Sequence, residues 1–224
     1  MTKALVTALC ALFLGMFSPQ VHAGEITGAT KGVRLLTHFH KKVTDGGVGV
    51  GGWLIMPDVV KAGTTPLFLV GPRYSGKGYW AEFLVGGLVN KGEEDPAFVT
   101  TKVIQSTRFQ MTPKLFDAPI NVWGNLQFID VTGDNTIPYL FLMADYVLDD
   151  KVALIGIETE NYFNKPAPTE DDPDAKANDI GIGPQLILPF KGVNIIMAYQ
   201  FHTGENALDQ VWVRAMYNFG GFGK

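Results

Sequence analysis

Three segments of this chain alternate between apolar and polar side chains with a period of two. The clearest is 120–128, in which Ile120, Val122, Gly124, Leu126 and Phe128 share one face and Asn121, Trp123, Asn125 and Gln127 share the other. Segments 193–201 and 211–219 repeat the pattern. Because successive side chains of a β-strand point to opposite faces of its sheet, the pattern predicts strands with one apolar and one polar face.

Weaker strand signals fill much of the remaining chain. They lie at 50–57, 66–72, 78–90, 98–110, 137–147, 151–162 and 179–190, and 98–110 is the most polar of them. Residues 34–41 are either a further strand or a lead-in. No window after residue 23 is long and apolar enough to span a bilayer as a helix, which takes about 18 residues. We therefore predict an all-β fold, a single antiparallel up-and-down barrel of about ten strands, with eight to twelve compatible with the pattern.

The connections between these segments alternate in length. Tight connections at 148–150 and 191–192 are interleaved with longer ones at 90–97, 131–136, 164–178 and 203–208. Segment 112–118 is long where a tight turn is expected. Outer-membrane barrels have short periplasmic turns and longer external loops, so the alternation favours such a barrel with its C-terminus on the periplasmic side.

The first residues have the pattern of a secretory signal. Lys3 precedes an uncharged apolar stretch at 4–17, and small residues occupy the cleavage positions of Val21-His22-Ala23. We predict a cleavable signal peptide at 1–23 and a barrel domain at 24–224, in which 24–47 could form a periplasmic lead-in. A retained anchor helix is the alternative. Cys10, the one cysteine, lies in the signal, so the mature chain is expected to contain no disulfide.

Composition narrows the class of partner. Charged residues make up 18% of the chain, below the roughly 25% typical of soluble domains, as expected when one barrel face contacts lipid. The formal net charge of −4 provides no basic excess to attract phosphates, so nucleic acid is excluded as a partner.

Together these features resemble bacterial outer-membrane β-barrels as a general class. The final alternating strand ends in Tyr217-Asn218-Phe219, as in that class, although five more residues follow it here. The resemblance implies an outer-membrane location, contact with outer-membrane lipid and passage through the insertion machinery of that membrane. It also implies a narrow channel or a structural membrane protein, with the solute left open.

Two other functions remain open at this point. One is a soluble, exported, lipocalin-like barrel in the periplasm, with apolar residues inside around a small apolar ligand. The other is a membrane-barrel enzyme acting on lipid. Ser75 and Ser106 have no histidine nearby in sequence and no G-x-S-x-G motif is present, so we predict no catalytic residue.

The alternation assigns a set of charged and amide residues to the inward face of the barrel. The principal candidates for lining the lumen are Glu82, Arg108, Asn121, Asn125, Gln127, Asp145, Gln185, Gln200 and Arg214. Lys102, Glu158, Glu160 and Asn194 belong to the same face. Because buried charges need partners, these side chains either form an internal salt-bridge network or line a narrow lumen or binding cavity.

Other motifs give weaker indications. His38 and His40 share a strand face and, with His202, could provide three metal ligands, but a polar strand face is the simpler interpretation. The glycines of 47–52 match a dinucleotide-binding fingerprint only by letters, since a strand-like segment follows instead of a helix. The acidic segment 169–174 is typical of a solvated loop. We predict no metal and no cofactor.

Overall fold

A computed structural model describes residues 30–60, 65–91, 98–115, 118–133, 136–149, 152–163, 179–203 and 209–219. The predicted signal peptide, the acidic segment and the residues after Phe219 lie outside this part of the chain. The strands are β1 (Thr30–Lys42), β2 (Val48–Met56), β3 (Leu67–Gly76), β4 (Tyr79–Lys91), β5 (Phe98–Met111), β6 (Lys114–Leu115), β7 (Ala118–Ile129), β8 (Ile137–Asp149), β9 (Ala153–Tyr162), β10 (Asp179–Phe190), β11 (Val193–His202) and β12 (Gln210–Phe219).

Eleven of these strands form a closed barrel. Each pairs with its neighbours in the chain, β5 pairs with β7, and β12 pairs with β1 to close the wall. The two-residue strand β6 pairs with the start of β7, inside the connection between β5 and β7. The predicted all-β barrel is therefore confirmed. Residues 34–41 belong to β1, and the polar segment 98–110 belongs to β5.

The closure between β1 and β12 is parallel, with pairs running from Thr30↔Gln210 to Phe39↔Phe219. Every other neighbouring pair is antiparallel among the described strands. In a meander each strand runs opposite to the one before it. With eleven strands, an odd number, the first and last strands therefore run in the same direction. The predicted antiparallel arrangement holds everywhere except at this seam. Gly32 lies in the seam, where a Cβ would overlap the ring of Trp212.

The connections fall into two groups at opposite ends of the barrel. At one end, here called the short-turn end, glycines with positive φ lie in three turns, at Gly47, Gly78 and Gly192. The connection that contains β6 is at this end too, where the sequence had an unexpectedly long segment. The other end, here called the long-loop end, has the connections that follow β2, β4, β7, β9 and β11. β12 finishes at the short-turn end, whereas β1 starts at the long-loop end.

The two faces of the wall differ in polarity. Outward-facing apolar side chains are widely exposed, such as Phe83 at 52% and Ile157 at 57%. Ionisable side chains are buried in the interior, among them Glu82, Asp145 and Glu158. Trp53, Leu69 and Leu84 add an apolar part to the interior. No helix among the described residues is long and apolar enough to cross a membrane.

Candidate functional site

The polar interior of the barrel is the candidate site. All nine principal lumen candidates are buried, and none is more than 7% exposed: Glu82, Arg108, Asn121, Asn125, Gln127, Asp145, Gln185, Gln200 and Arg214. Glu158 and Glu160 are buried with them. Lys102 differs, because its side chain is 46% exposed and lies 3.8 Å from Asp130 near the long-loop end. Asn194 is partly buried and lines a cavity at the short-turn end.

Glu82 is the centre of one cluster. Its Oε1 lies 2.8 Å from His38 Nε2 and 2.7 Å from an Arg73 guanidinium nitrogen. Its Oε2 accepts a hydrogen bond from Trp53 Nε1 at 2.8 Å. Gly51 lies beneath this carboxylate, and a Cβ there would overlap Glu82 Oε1. A close approach therefore explains this glycine of the 47–52 segment.

Aromatic rings enclose the same cluster. The His38 ring stacks on Trp53 with 4.3 Å between the centroids, and the Arg73 guanidinium lies 4.3 Å from the centroid of Trp80. Arg73 Nε also donates to Ser75 Oγ at 2.9 Å. Such stacking on ring faces stabilises a cation that has lost water. Glu82 is thus a buried carboxylate with its charge and hydrogen bonds satisfied.

A second cluster is built around two carboxylates of β9. Arg214 binds Glu158 through two nitrogens, at 2.7 and 2.9 Å. Glu160 is held by Arg214 at 3.3 Å, by Arg34 at 3.2 Å and by the Tyr139 hydroxyl at 2.9 Å. Gln200 donates to Glu158 at 2.5 Å. Two arginines therefore balance two carboxylates.

A third cluster carries a carboxylate whose hydrogen-bond donors, among the described side chains, are amides. Asp145 is fully buried, and it accepts hydrogen bonds from Gln185 at 2.6 Å and from Asn121 at 3.3 Å. Asn121 in turn accepts a bond from Gln110, which accepts one from Trp80 Nε1. The polar network thus continues from β10 across β8, β7 and β5 to β4.

Arg108 is the positively charged counterpart of Asp145, because its buried guanidinium group contacts a hydroxyl group and aromatic rings. Its Nε donates to Ser106 Oγ at 3.1 Å, and its guanidinium lies 4.4 Å from the ring centroid of Trp53 and 5.9 Å from that of Trp123. Ser106 donates to Asn125 at 2.6 Å. Within the described part of the chain, no carboxylate forms a salt bridge with Arg108.

Two cavities within the described part of the barrel share one set of lining side chains. The long-loop cavity, of about 190 Å³, extends from Arg108 and Phe141 to Leu67 and Leu88. The short-turn cavity, of about 700 Å³, is lined by His38, Arg73 and Asn218 among others. Four residues line both cavities and are here called the waist: Trp53, Trp123, Met143 and Met216. These four side chains therefore lie where the two cavities adjoin.

The structure separates the histidines that the sequence grouped. His38 and His40 lie side by side, with 5.2 Å between their ring centroids, but His202 lies at the long-loop end. Among the described residues, no group of three His, Cys, Asp or Glu side chains could hold a metal ion. The two serines are held by arginines, Ser75 by Arg73 and Ser106 by Arg108.

Sequence reasoning missed two arginines of the interior. Arg34 was not assigned to a face because 34–41 had no settled structure, although Arg34, His38 and His40 keep a period of two. Arg73 lies one residue beyond the predicted strand 66–72, whereas β3 continues to Gly76. Inward alternation from Leu67 and Leu69 would have found it.

Comparison with known proteins finds no matching family model, no similar curated protein and no similar solved structure.

Proposed function

We propose that this barrel resides in the bacterial outer membrane and acts as a narrow channel for small solutes. The observation that carries the proposal is the polarity of the wall, which is apolar outside and charged inside. Exposed outward residues include Val50, Val85, Ile157 and Ile182, whereas the carboxylates and arginines described above are buried. A barrel surrounded by lipid needs this arrangement, because its outer face meets hydrocarbon.

The dimensions and the aromatic residues support the same environment. Barrel strands are nine to fourteen residues long, and about 9 to 11 tilted residues are enough to cross a bilayer. Exposed aromatic side chains occur near both ends of the wall, with Tyr74 and Tyr79 at the short-turn end and Phe68 and Phe201 at the long-loop end. Aromatic girdles at both interfaces are typical of outer-membrane barrels.

The soluble, lipocalin-like alternative fits this wall less well. A soluble barrel keeps its polar side chains outside, where they contact water. Here the interior holds a network that includes Glu82, Glu158 and Arg214, while large apolar side chains such as Phe83 and Phe219 are more than half exposed. Leaving so much apolar surface in water would promote association.

Fractionation tests the membrane location directly. We expect the protein in the outer-membrane fraction, and we expect the unboiled, detergent-extracted protein to migrate faster on SDS gels than the boiled protein. A closed barrel resists SDS until it is heated, because its strands have no unpaired edge. Recovery in the soluble periplasmic fraction, without a heat-dependent shift, would refute the location and favour the soluble binder.

The two cavities support a channel that is narrow. One cavity lies toward each end of the barrel, and the waist of Trp53, Trp123, Met143 and Met216 lines both of them. In a barrel of this size, side chains largely determine how much of the interior is free. We expect a small conductance that is set at the waist.

Trp123→Ala tests this interpretation in planar bilayers. Trp123 packs edge-on against Trp53 at 6.0 Å and Phe141 at 5.3 Å, so its removal should widen the waist. We expect the single-channel conductance to rise about twofold or more, because side chains fill narrow barrels.

Phe83→Ala is the matched control, because the Phe83 side chain is 52% exposed on the outer face and lines neither cavity. It should leave the conductance unchanged. If neither the wild type nor Trp123→Ala conducts, the protein is a filled, structural barrel instead of a channel.

A further inference from the structure

Arg108 carries a buried positive charge that forms no salt bridge with any carboxylate of the described residues. It is 1% exposed, and its contacts are with Ser106, Trp53 and Trp123. Burying a charge costs free energy unless the charge is paired, and removing water from an arginine is no exception. Ring stacking and one hydroxyl provide only part of that compensation.

The other charges around Arg108 are bound to partners of their own. Glu82 attracts Arg108 electrostatically, but its carboxylate is already bound to Arg73 and His38. Arg34 and Arg214 line the same long-loop cavity, but they are paired with Glu160 and Glu158. Two cations and two carboxylates cancel in that group, so Arg108 adds one positive charge to the cavity. A single negative charge beside Arg108 would bring the set to neutrality.

The rest of the long-loop cavity is mostly apolar. Its walls include Ile104, Ile129, Phe141 and Ile196, and the amides of Asn125 and Gln127 lie on the same side as Arg108. The volume is about 190 Å³, and an engineered apolar cavity of roughly 150 Å³ is known to hold benzene. The cavity therefore has room for one aromatic ring with a small substituent.

We propose that the long-loop cavity binds a small organic carboxylate with an apolar body about the size of one aromatic ring. The carboxylate pairs with the Arg108 guanidinium, whose planar donors match its two oxygens. The ring occupies the apolar volume between the waist and the long-loop end. Such a carboxylate is the class of solute that we expect the channel to take, so this inference rests on the proposed function.

The chemistry of the walls favours a carboxylate over other anions. A sulfate, or a phosphate at neutral pH, carries more than the one negative charge that would balance Arg108. Chloride would satisfy the charge but leave the apolar volume empty, with no gain from burial of apolar surface. A carboxylate attached to a ring uses both parts of the cavity.

Benzoate is the probe, and binding is measured on purified, folded protein by isothermal titration calorimetry. Tryptophan fluorescence provides a second signal, since Trp53 and Trp123 lie beside Arg108. Benzyl alcohol is the uncharged analogue, and sodium chloride is the inorganic anion. The variants are Arg108→Gln and the matched control Lys102→Gln, which removes a cation from the same strand without touching the cavity.

We expect saturable benzoate binding to the wild type and to Lys102→Gln, and binding at least about tenfold weaker to Arg108→Gln, since a hydrogen bond to a charged group is lost. Benzyl alcohol should bind the wild type at least about tenfold more weakly than benzoate for the same reason. Chloride should compete only weakly.

Equal binding of benzoate and benzyl alcohol, or no benzoate binding, would overturn the assignment, and so would equal affinity in Arg108→Gln. If Arg108→Gln does not fold, as judged by its heat-dependent gel shift, the comparison of the three ligands on the wild type decides alone. Because binding needs no bilayer, retained binding with no conductance would refute only the channel. Conductance without benzoate binding would refute only this ligand.

Discussion

Glu82→Ala should lower the free energy of unfolding by about 3 to 5 kcal/mol, the usual cost of removing one partner from a buried ion pair. The substitution leaves the Arg73 charge, a His38 nitrogen and the Trp53 N–H in the interior without their shared acceptor. Glu82 is 2% exposed, so water cannot readily replace its carboxylate as the acceptor for these three groups. Urea-induced unfolding of the refolded barrel, followed by tryptophan fluorescence, measures the change.

The matched control is an exposed ion pair in the same wall. Lys102→Ala removes the cation of the 3.8 Å pair with Asp130, and the Lys102 side chain is 46% exposed. Pairs of this kind contribute about 0 to 1 kcal/mol, so this variant should unfold close to the wild type. A Glu82→Ala cost no larger than that of Lys102→Ala would contradict the view that the Glu82 cluster stabilises the barrel.

Arg214→Met should be destabilising by about 3 to 5 kcal/mol, and adding Glu158→Gln to it should recover at least about 2 kcal/mol. The single substitution leaves Glu158 charged and buried after the loss of two contacts, at 2.7 and 2.9 Å. Glutamine keeps an oxygen that can accept from Gln200 but carries no charge. Glu160 retains Arg34 and Tyr139 in both variants.

Arg214→Met combined with Lys102→Gln is the control for the coupling between Arg214 and Glu158. Lys102 shares no contact with Arg214 or Glu158, so these two effects should add within about 0.5 kcal/mol. If the Arg214→Met/Glu158→Gln variant is as unstable as the two single effects summed, the charge left on Glu158 is not the cause of the destabilisation.

Much of the wall follows from local patterns in the sequence. Alternation alone assigned Asn121, Asn125 and Gln127 to one face of a strand, and these residues are buried in the interior. The period of two depends only on the backbone of a single strand, so it can be read without knowing any partner. The tight turn predicted at 191–192 is equally local, and Gly192 there has a positive φ.

The number of strands was harder to predict from the sequence, because the alternation weakens where one face of a strand carries both charged and apolar side chains. The inward positions of β1 are occupied by Arg34, Leu36, His38 and His40, which combine charge with apolar bulk and so blur the contrast between faces. The predicted strand 66–72 ended one residue before Arg73, whereas β3 continues to Gly76. Both cases obscured interior arginines that form part of the site.

The sequence by itself thus determined the all-β class and which residues share a strand face, because these depend on neighbours within about two residues. Which face points into the barrel was decided by the closed structure, since both orientations give the same alternation. The tertiary structure decided which charges meet. Arg34 reaches Glu160 across 126 residues, and His38 reaches Glu82 across 44. Those contacts, the parallel seam and the unpaired Arg108 exist only once eleven strands close with one register, and register is a property of the whole barrel.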